Sequence, residues 1–166
     1  MRPFNKIFGI GISRTGTSSL AEALTTLGIR TMHWPRNMGD FCSNQALVDI
    51  TVACRFKELD QIFPGSLFIY TERSSRNWLT SVRAHYHALG VDLKLPDGQK
   101  QFAQEADVRI YGTVKPIGCD FMKAYDQHAR AVTKYFANNT SRLLRMDASH
   151  FRNPRHSCWI DRHQAS

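Results

Sequence analysis

Ile7-Phe8-Gly9-Ile10-Gly11-Ile12 is an apolar run with no charged position, the pattern of a strand buried on both faces of a sheet. Leu20, Ala23, Leu24 and Leu27 then recur at i, i+3, i+4 and i+7, which predicts a helix with one apolar stripe. Thr17 or Ser18 suits its N-cap and Gly28 its C-terminal stop. Ile29 to His33 predicts a second strand, and Trp34 to Ser43, with Pro35 and Gly39, a loop. A helix around Arg55 to Ile62 stops at Pro64-Gly65. Leu67-Phe68-Ile69-Tyr70-Thr71 is the second clear strand, followed by a helix from about Arg76 to Leu89. Residues 91–118 hold Pro96, Gly98, Gly112, Pro116 and Gly118 and read as a loop-rich insertion with room for one short helix. Phe121, Tyr125, His128, Ala129, Val132, Tyr135 and Phe136 fall on one helical face, and Leu143-Leu144-Arg145-Met146 predicts the last strand.

Strands alternating with helices imply an α/β fold: three α/β/α layers around a central parallel sheet of about four or five strands. Residues 1–147 form this domain, and 148–166, which lack periodicity, an irregular tail. Ligands of such sheets bind beyond the carboxyl ends of the strands. Residues 11–18, 33–35, 72–75 and 147–150 therefore draw attention. No run of 18 apolar residues occurs, so no membrane span is expected. The N-terminal apolar run leads into a glycine-rich turn and does not read as a cleavable signal. Cys42, Cys54, Cys119 and Cys158 have no metal-ligand spacing and read as reduced thiols of a cytoplasmic protein. The net charge of +8 points to an anionic partner. The basic residues are scattered without interleaved aromatics, which favours a small polyanion over nucleic acid.

The anion's place is the glycine loop. Gly11-Ile12-Ser13-Arg14-Thr15-Gly16-Thr17-Ser18 follows a strand and opens a helix, where backbone N–H groups and the positive helix end meet a phosphate. Gly11 and Gly16 keep the Gly-x-x-x-x-Gly spacing of a P-loop, and the fold is of that nucleotide-binding type. Thr17 stands where a nucleotide triphosphatase carries its Lys, which counts against ATP or GTP hydrolysis. The loop's cation is internal, at Arg14. A bare strand-to-helix turn is the structural alternative.

Phe8-Gly9-Ile10-Gly11-Ile12-Ser13-Arg14-Thr15-Gly16-Thr17-Ser18-Ser19-Leu20 resembles the 5′-phosphosulfate loop of sulfotransferases that use 3′-phosphoadenosine 5′-phosphosulfate (PAPS). Phe63 to Arg73 followed by Trp78-Leu79-Thr80-Ser81-Val82 resembles the family's second motif, with Arg73 and Ser81 eight positions apart. The stretch from Ile110 to Leu144 resembles the bacterial-type branch. Two departures stand out: Arg73 is followed by Ser74-Ser75 rather than Asp-Pro, and Asp49-Ile50-Thr51 keeps the acid of an Asp-x-Pro segment without its Pro.

The resemblance implies sulfuryl transfer from PAPS to a hydroxyl or amine of a small-molecule or glycan acceptor, leaving adenosine 3′,5′-bisphosphate, with no metal required. It implies that Ser13, Arg14, Thr15, Gly16, Thr17 and Ser18 hold the 5′ end of the nucleotide, and that Arg73 and Ser81 hold its 3′-phosphate. Arg14 would stabilise the charge that grows on the leaving phosphate. His33 and Asp49 are the candidate general bases, with His85 and His87 one turn beyond Ser81 as further cleft candidates. His128 is expected to pack or cap within its helix, and Trp34 and Trp78 to be core or adenine-stacking walls. A non-catalytic nucleotide-binding module, and more remotely a nucleotide kinase on the same fold, remain the alternatives.

Overall fold

The computed structural model describes residues 6–89 and 95–148. Five strands, β1 (Ile7–Gly9), β2 (Thr31–His33), β3 (Ala46–Val48), β4 (Leu67–Glu72) and β5 (Leu143–Asp147), form one parallel sheet in the order β2-β3-β1-β4-β5. The helices between them are α1 (Thr17–Thr26), α2 (Met38–Ser43), α3 (Ile50–Ala53), α4 (Phe56–Ile62), α5 (Ser75–Leu89), α6 (Asp97–Tyr111) and α7 (Phe121–Tyr135). Among the described residues no helix is long and apolar enough to cross a membrane.

Alternation along the strands builds two apolar layers. Ile7, Ala46, Val48 and Ile69 pack with Leu20, Ala21 and Leu24 of α1 on one face. Phe8, Leu47, Phe68 and Tyr70 pack on the other with Phe56 and Leu59 of α4, Val132 of α7, and Phe136. Helices thus cover both faces, and the fold is α/β with three layers. Gly9 lies where α1 crosses the sheet, and a Cβ there would overlap the Val48 and Leu20 side chains. A third cluster sits past the ends of the strands, where Ile12, Ile50, Trp78, Val82, Tyr86 and Phe121 draw α3, α5 and α7 together. It is the floor on which the strand exits rest.

Four expectations need correction. The segment predicted as loop over 34–43 contains α2, whose six residues are too few for periodicity to register. Caps hold it instead: Asn37 Oδ1 accepts from the Asp40 amide (3.0 Å), and Asp40 Oδ2 accepts from the Arg36 amide (2.8 Å). Ala46-Leu47-Val48 forms a strand that went unpredicted. It inserts between β1 and β2, so α1 crosses over one strand position. The insertion 91–118 is not mainly loop, because α6 spans fifteen residues of it. Pro96 and Gly112, read as loop signals, are that helix's start and its left-handed C-cap (φ 76°). The stripe of α1 is also rotated: Thr17, Leu20, Ala21 and Leu24 are buried, whereas Ala23 is exposed and Leu27 is 75% exposed. The proposed tail, apart from Ala148, lies outside the described residues, as does Cys158. Cys42, Cys54 and Cys119 are free thiols.

Two glycines separate packing from propensity. Gly11→Ala drives a methyl into the Thr71 and Thr15 hydroxyls and is expected to cost about 1–3 kcal/mol, a fall in Tm of roughly 2–12 °C. Gly98 in α6 has open space around it and an ordinary φ, so Gly98→Ala is expected to add about 0.5 kcal/mol. Thermal unfolding followed by circular dichroism reads both, and equal effects of the two substitutions would contradict the packing described.

Candidate functional site

The loop between β1 and α1 is braced from inside. Thr15 is 1% exposed; its hydroxyl donates to the Ile12 carbonyl (2.7 Å) and lies 2.9 Å from Thr71 Oγ1 at the end of β4. Its amide also donates to the Ile12 carbonyl, at 3.2 Å. The Thr15 hydroxyl and amide thus both bond to the loop's own Ile12 carbonyl. Gly11 makes the brace possible, since any Cβ would occupy the space between Thr71 and Thr15. Trp78, fully buried, donates its indole N–H to the Ser13 carbonyl at 2.9 Å. Gly16 caps α1 in the left-handed conformation, φ 92°. The first amides of α1 follow it, and by helix geometry they have no carbonyl of their own turn to bond. Their partial positive charge is where an anion gains most.

Beside this helix end lies a cleft of about 230 Å³ lined by Ser13, Arg14, Gly16, Thr17, Ser18, Ser19, His33, Asp49, Arg73 and His85. Arg14, from the loop, donates Nε to Ser81 Oγ on α5 at 3.0 Å. Arg73, the residue after β4, donates Nη1 to the Arg14 carbonyl at 3.3 Å. Two guanidiniums from separate strand exits thus share one cleft, and Ser81 reaches it through Arg14. The Arg73 carbonyl in turn accepts from the Tyr125 hydroxyl at 2.7 Å.

His33 and Asp49 line the same cleft. His33, the last residue of β2, places Nε2 3.2 Å from Asp49 Oδ2, 3.2 Å from Thr17 Oγ1 and 3.3 Å from Ser18 Oγ. Asp49 follows β3 directly and is 8% exposed; its Oδ1 accepts from the Ile50 amide at 2.8 Å and from Ser13 Oγ at 3.5 Å. Burial pushes the Asp49 carboxyl above its ordinary pKa, while His33 and the Ile50 amide pull against that rise. His85 is pushed below the usual histidine value, by burial first and by the Arg14 charge second. Arg14 (φ 72°), Trp34 (φ 56°) and Asp49 (φ 105°) carry the positive φ angles found outside glycine among the described residues. Each lies in the segment after a different strand, and Arg14 and Asp49 line the cleft; such backbone strain gathers at functional sites.

The strand-exit expectation meets this site at 11–18, 33 and 73. At the fifth strand's exit, Asp147 and Ala148 are not among the cleft residues, and 149 and 150 lie outside the described ones. His87 is exposed and outside the cleft, because two positions on a helix turn it far from His85. His128 is buried and donates Nε2 to the Ile10 carbonyl at 2.8 Å, tying α7 to β1 rather than capping its own helix. Trp78 belongs to the core, where its N–H supports the loop. Trp34 packs partly buried against the same core cluster, with the Arg36 guanidinium 5.4 Å from its ring. Sequence reasoning missed the parts played by Thr71, Trp78 and Tyr125. A polar handle on an otherwise apolar helical face is the signal that marks the last two.

With this geometry in place, the comparisons with known proteins bear on chemistry. The family described as a sulfotransferase domain matches residues 6–44 and 39–150, two overlapping segments that together cover most of the chain. No curated protein matches the chain. Arg14, Arg73 and the whole glycine loop lie within the matched segments, and on that match the chain belongs to the sulfotransferase-domain family, with sulfuryl transfer as its class of chemistry.

Proposed function

We propose that the chain transfers a sulfuryl group from PAPS to a hydroxyl or amine of a small-molecule or glycan acceptor. One observation carries this reading: Arg14 and Arg73 share a cleft at the N-terminus of α1. A nucleotide anionic at both its 5′ and 3′ ends suits two such cations. In this reading the amides of Gly16 and Thr17, with the Ser18 hydroxyl, hold the 5′-phosphate, and Ser13 shapes the loop around it. Arg73 and Ser81 hold the 3′-phosphate. Thr15 contributes by keeping the loop closed.

The reaction breaks the bond between sulfur and the oxygen bridging to the 5′-phosphate and forms one between sulfur and the acceptor atom. Charge grows on the leaving phosphate, and catalysis of such a loose displacement rests on positioning and on fixed positive charge. Arg14 supplies that charge and, being permanently protonated, donates no proton. The acceptor's proton passes to the His33–Asp49 pair. With the His33 Nε2 proton directed at Asp49, the second ring nitrogen is the accepting atom. The Asp49 carboxylate would then stabilise the imidazolium that forms.

Two measurements test the reading. Ligands that favour the native state raise its Tm, so adenosine 3′,5′-bisphosphate is expected to stabilise the chain more than ATP with Mg²⁺ does. Arg73→Ala should remove most of that shift. In labelled sulfate transfer across an acceptor panel, Arg14→Ala is expected to lower kcat by about 10²–10³-fold; an unchanged kcat would contradict its role.

Asp49→Asn separates catalysis from stability. The amide oxygen still accepts from the Ile50 N–H, but the buried charge is gone. A carboxyl whose folded pKa is raised contributes stability that is present at low pH and lost as pH rises through the folded value. Wild type is therefore expected to trail Asp49→Asn in Tm at pH 8, with the gap closing toward pH 4. Turnover by the variant should fall about 10²-fold or more. A variant less stable than wild type at pH 8 would show that the carboxylate is held mainly for structure.

A further inference from the structure

Arg73 leaves the sheet into Ser74-Ser75, a turn with no proline to fix its backbone. A guanidinium meant to meet one phosphate group needs its Cα held, because the side chain itself has several rotatable bonds. That hold comes from α7. The Tyr125 hydroxyl donates to the Arg73 carbonyl at 2.7 Å and lies 3.4 Å from the Arg73 amide, so one side-chain atom engages both backbone groups of the residue. Burial and the neighbouring Glu72, Asp126 and Asp147 raise the Tyr125 phenol above its ordinary pKa, against the pull of its bond to Arg73. The group accordingly stays a hydroxyl donor at neutral pH.

The Tyr125 ring is itself fixed. It packs against Trp78 with ring centroids 4.6 Å apart, and the Trp78 indole N–H holds the Ser13 carbonyl at 2.9 Å. A single aromatic pair therefore carries a backbone carbonyl from each of the two anchor segments, the glycine loop and the β4 exit. We propose that Tyr125 is the positioning residue for Arg73, its hydroxyl setting where the Arg73 guanidinium meets the 3′-phosphate of the nucleotide. The role rests on the reading of Arg73 given under Proposed function, and it adds a determinant of nucleotide specificity outside the cleft lining.

Tyr125→Phe removes the hydroxyl and keeps the ring on Trp78. The test is calorimetric binding of adenosine 3′,5′-bisphosphate and of adenosine 5′-monophosphate to wild type, Tyr125→Phe, Arg73→Ala and the double variant. The preference for the bisphosphate is expected to fall about three- to tenfold in Tyr125→Phe, the worth of one hydrogen bond, and further in Arg73→Ala. On the Arg73→Ala background Tyr125→Phe should change the preference no further. If Arg73→Ala lowers the preference and Tyr125→Phe does not, or if Tyr125→Phe weakens both nucleotides equally, the positioning role is overturned while the Arg73 reading stands. If Arg73→Ala leaves the preference unchanged, the Arg73 reading itself is overturned.

Discussion

The site depends on a contact between two hydroxyls across a missing side chain. Thr15 Oγ1 in the glycine loop and Thr71 Oγ1 near the end of β4 lie 2.9 Å apart because Gly11 has no Cβ to separate them. That contact brings the exit of β1 against the exit of β4, and with it the segment of Arg14 against the segment of Arg73. Trp78 and Tyr125 repeat the connection from below, each holding a carbonyl of one segment. The two cations are thus set by backbone held in a packed core, not by long side chains finding one another. A site that must discriminate on the placement of charge benefits from that order of construction.

The cleft gathers both kinds of charge. Arg14, Arg73 and a helix N-terminus line it. His33 and the buried Asp49 line it too, with His33 Nε2 against the Thr17 and Ser18 hydroxyls of that helix end. His85 lines the cleft as well, its pKa pushed down by burial and by the nearness of Arg14. The backbone strain at Arg14, Trp34 and Asp49 falls in the segments that follow β1, β2 and β3. The core supplies the stability against which such strain is held.

Long periodic segments were legible in the chain itself. The strand at Ile7, the helix after Gly16, the strand at Leu67 and the α7 face from Phe121 to Phe136 are each long or distinct enough for pattern to reveal them. Short elements were not: Ala46-Leu47-Val48 and Met38–Ser43 owe their state to neighbouring strands and to Asn37 and Asp40. α6 was hidden by its own punctuation, since Pro96, Gly98 and Gly112 signal a loop in sequence while two of them delimit a helix in the fold. Strand exits drew attention to the segments of Arg14 and Arg73, and the resemblance to the sulfotransferase motifs, with its eight-residue interval to Ser81, singled them out. Thr15 as a brace, and Tyr125 as the holder of Arg73, depend on contacts 56 and 52 residues apart in the chain, which no local pattern encodes.

The most direct measurement is a crystal structure of the chain with adenosine 3′,5′-bisphosphate. The 5′-phosphate should lie within hydrogen-bond reach of the amides that open α1 and the 3′-phosphate within reach of the Arg73 guanidinium. A nucleotide bound away from this cleft, or inside it with neither phosphate touching residue 14 or residue 73, would contradict the shared-anchor site.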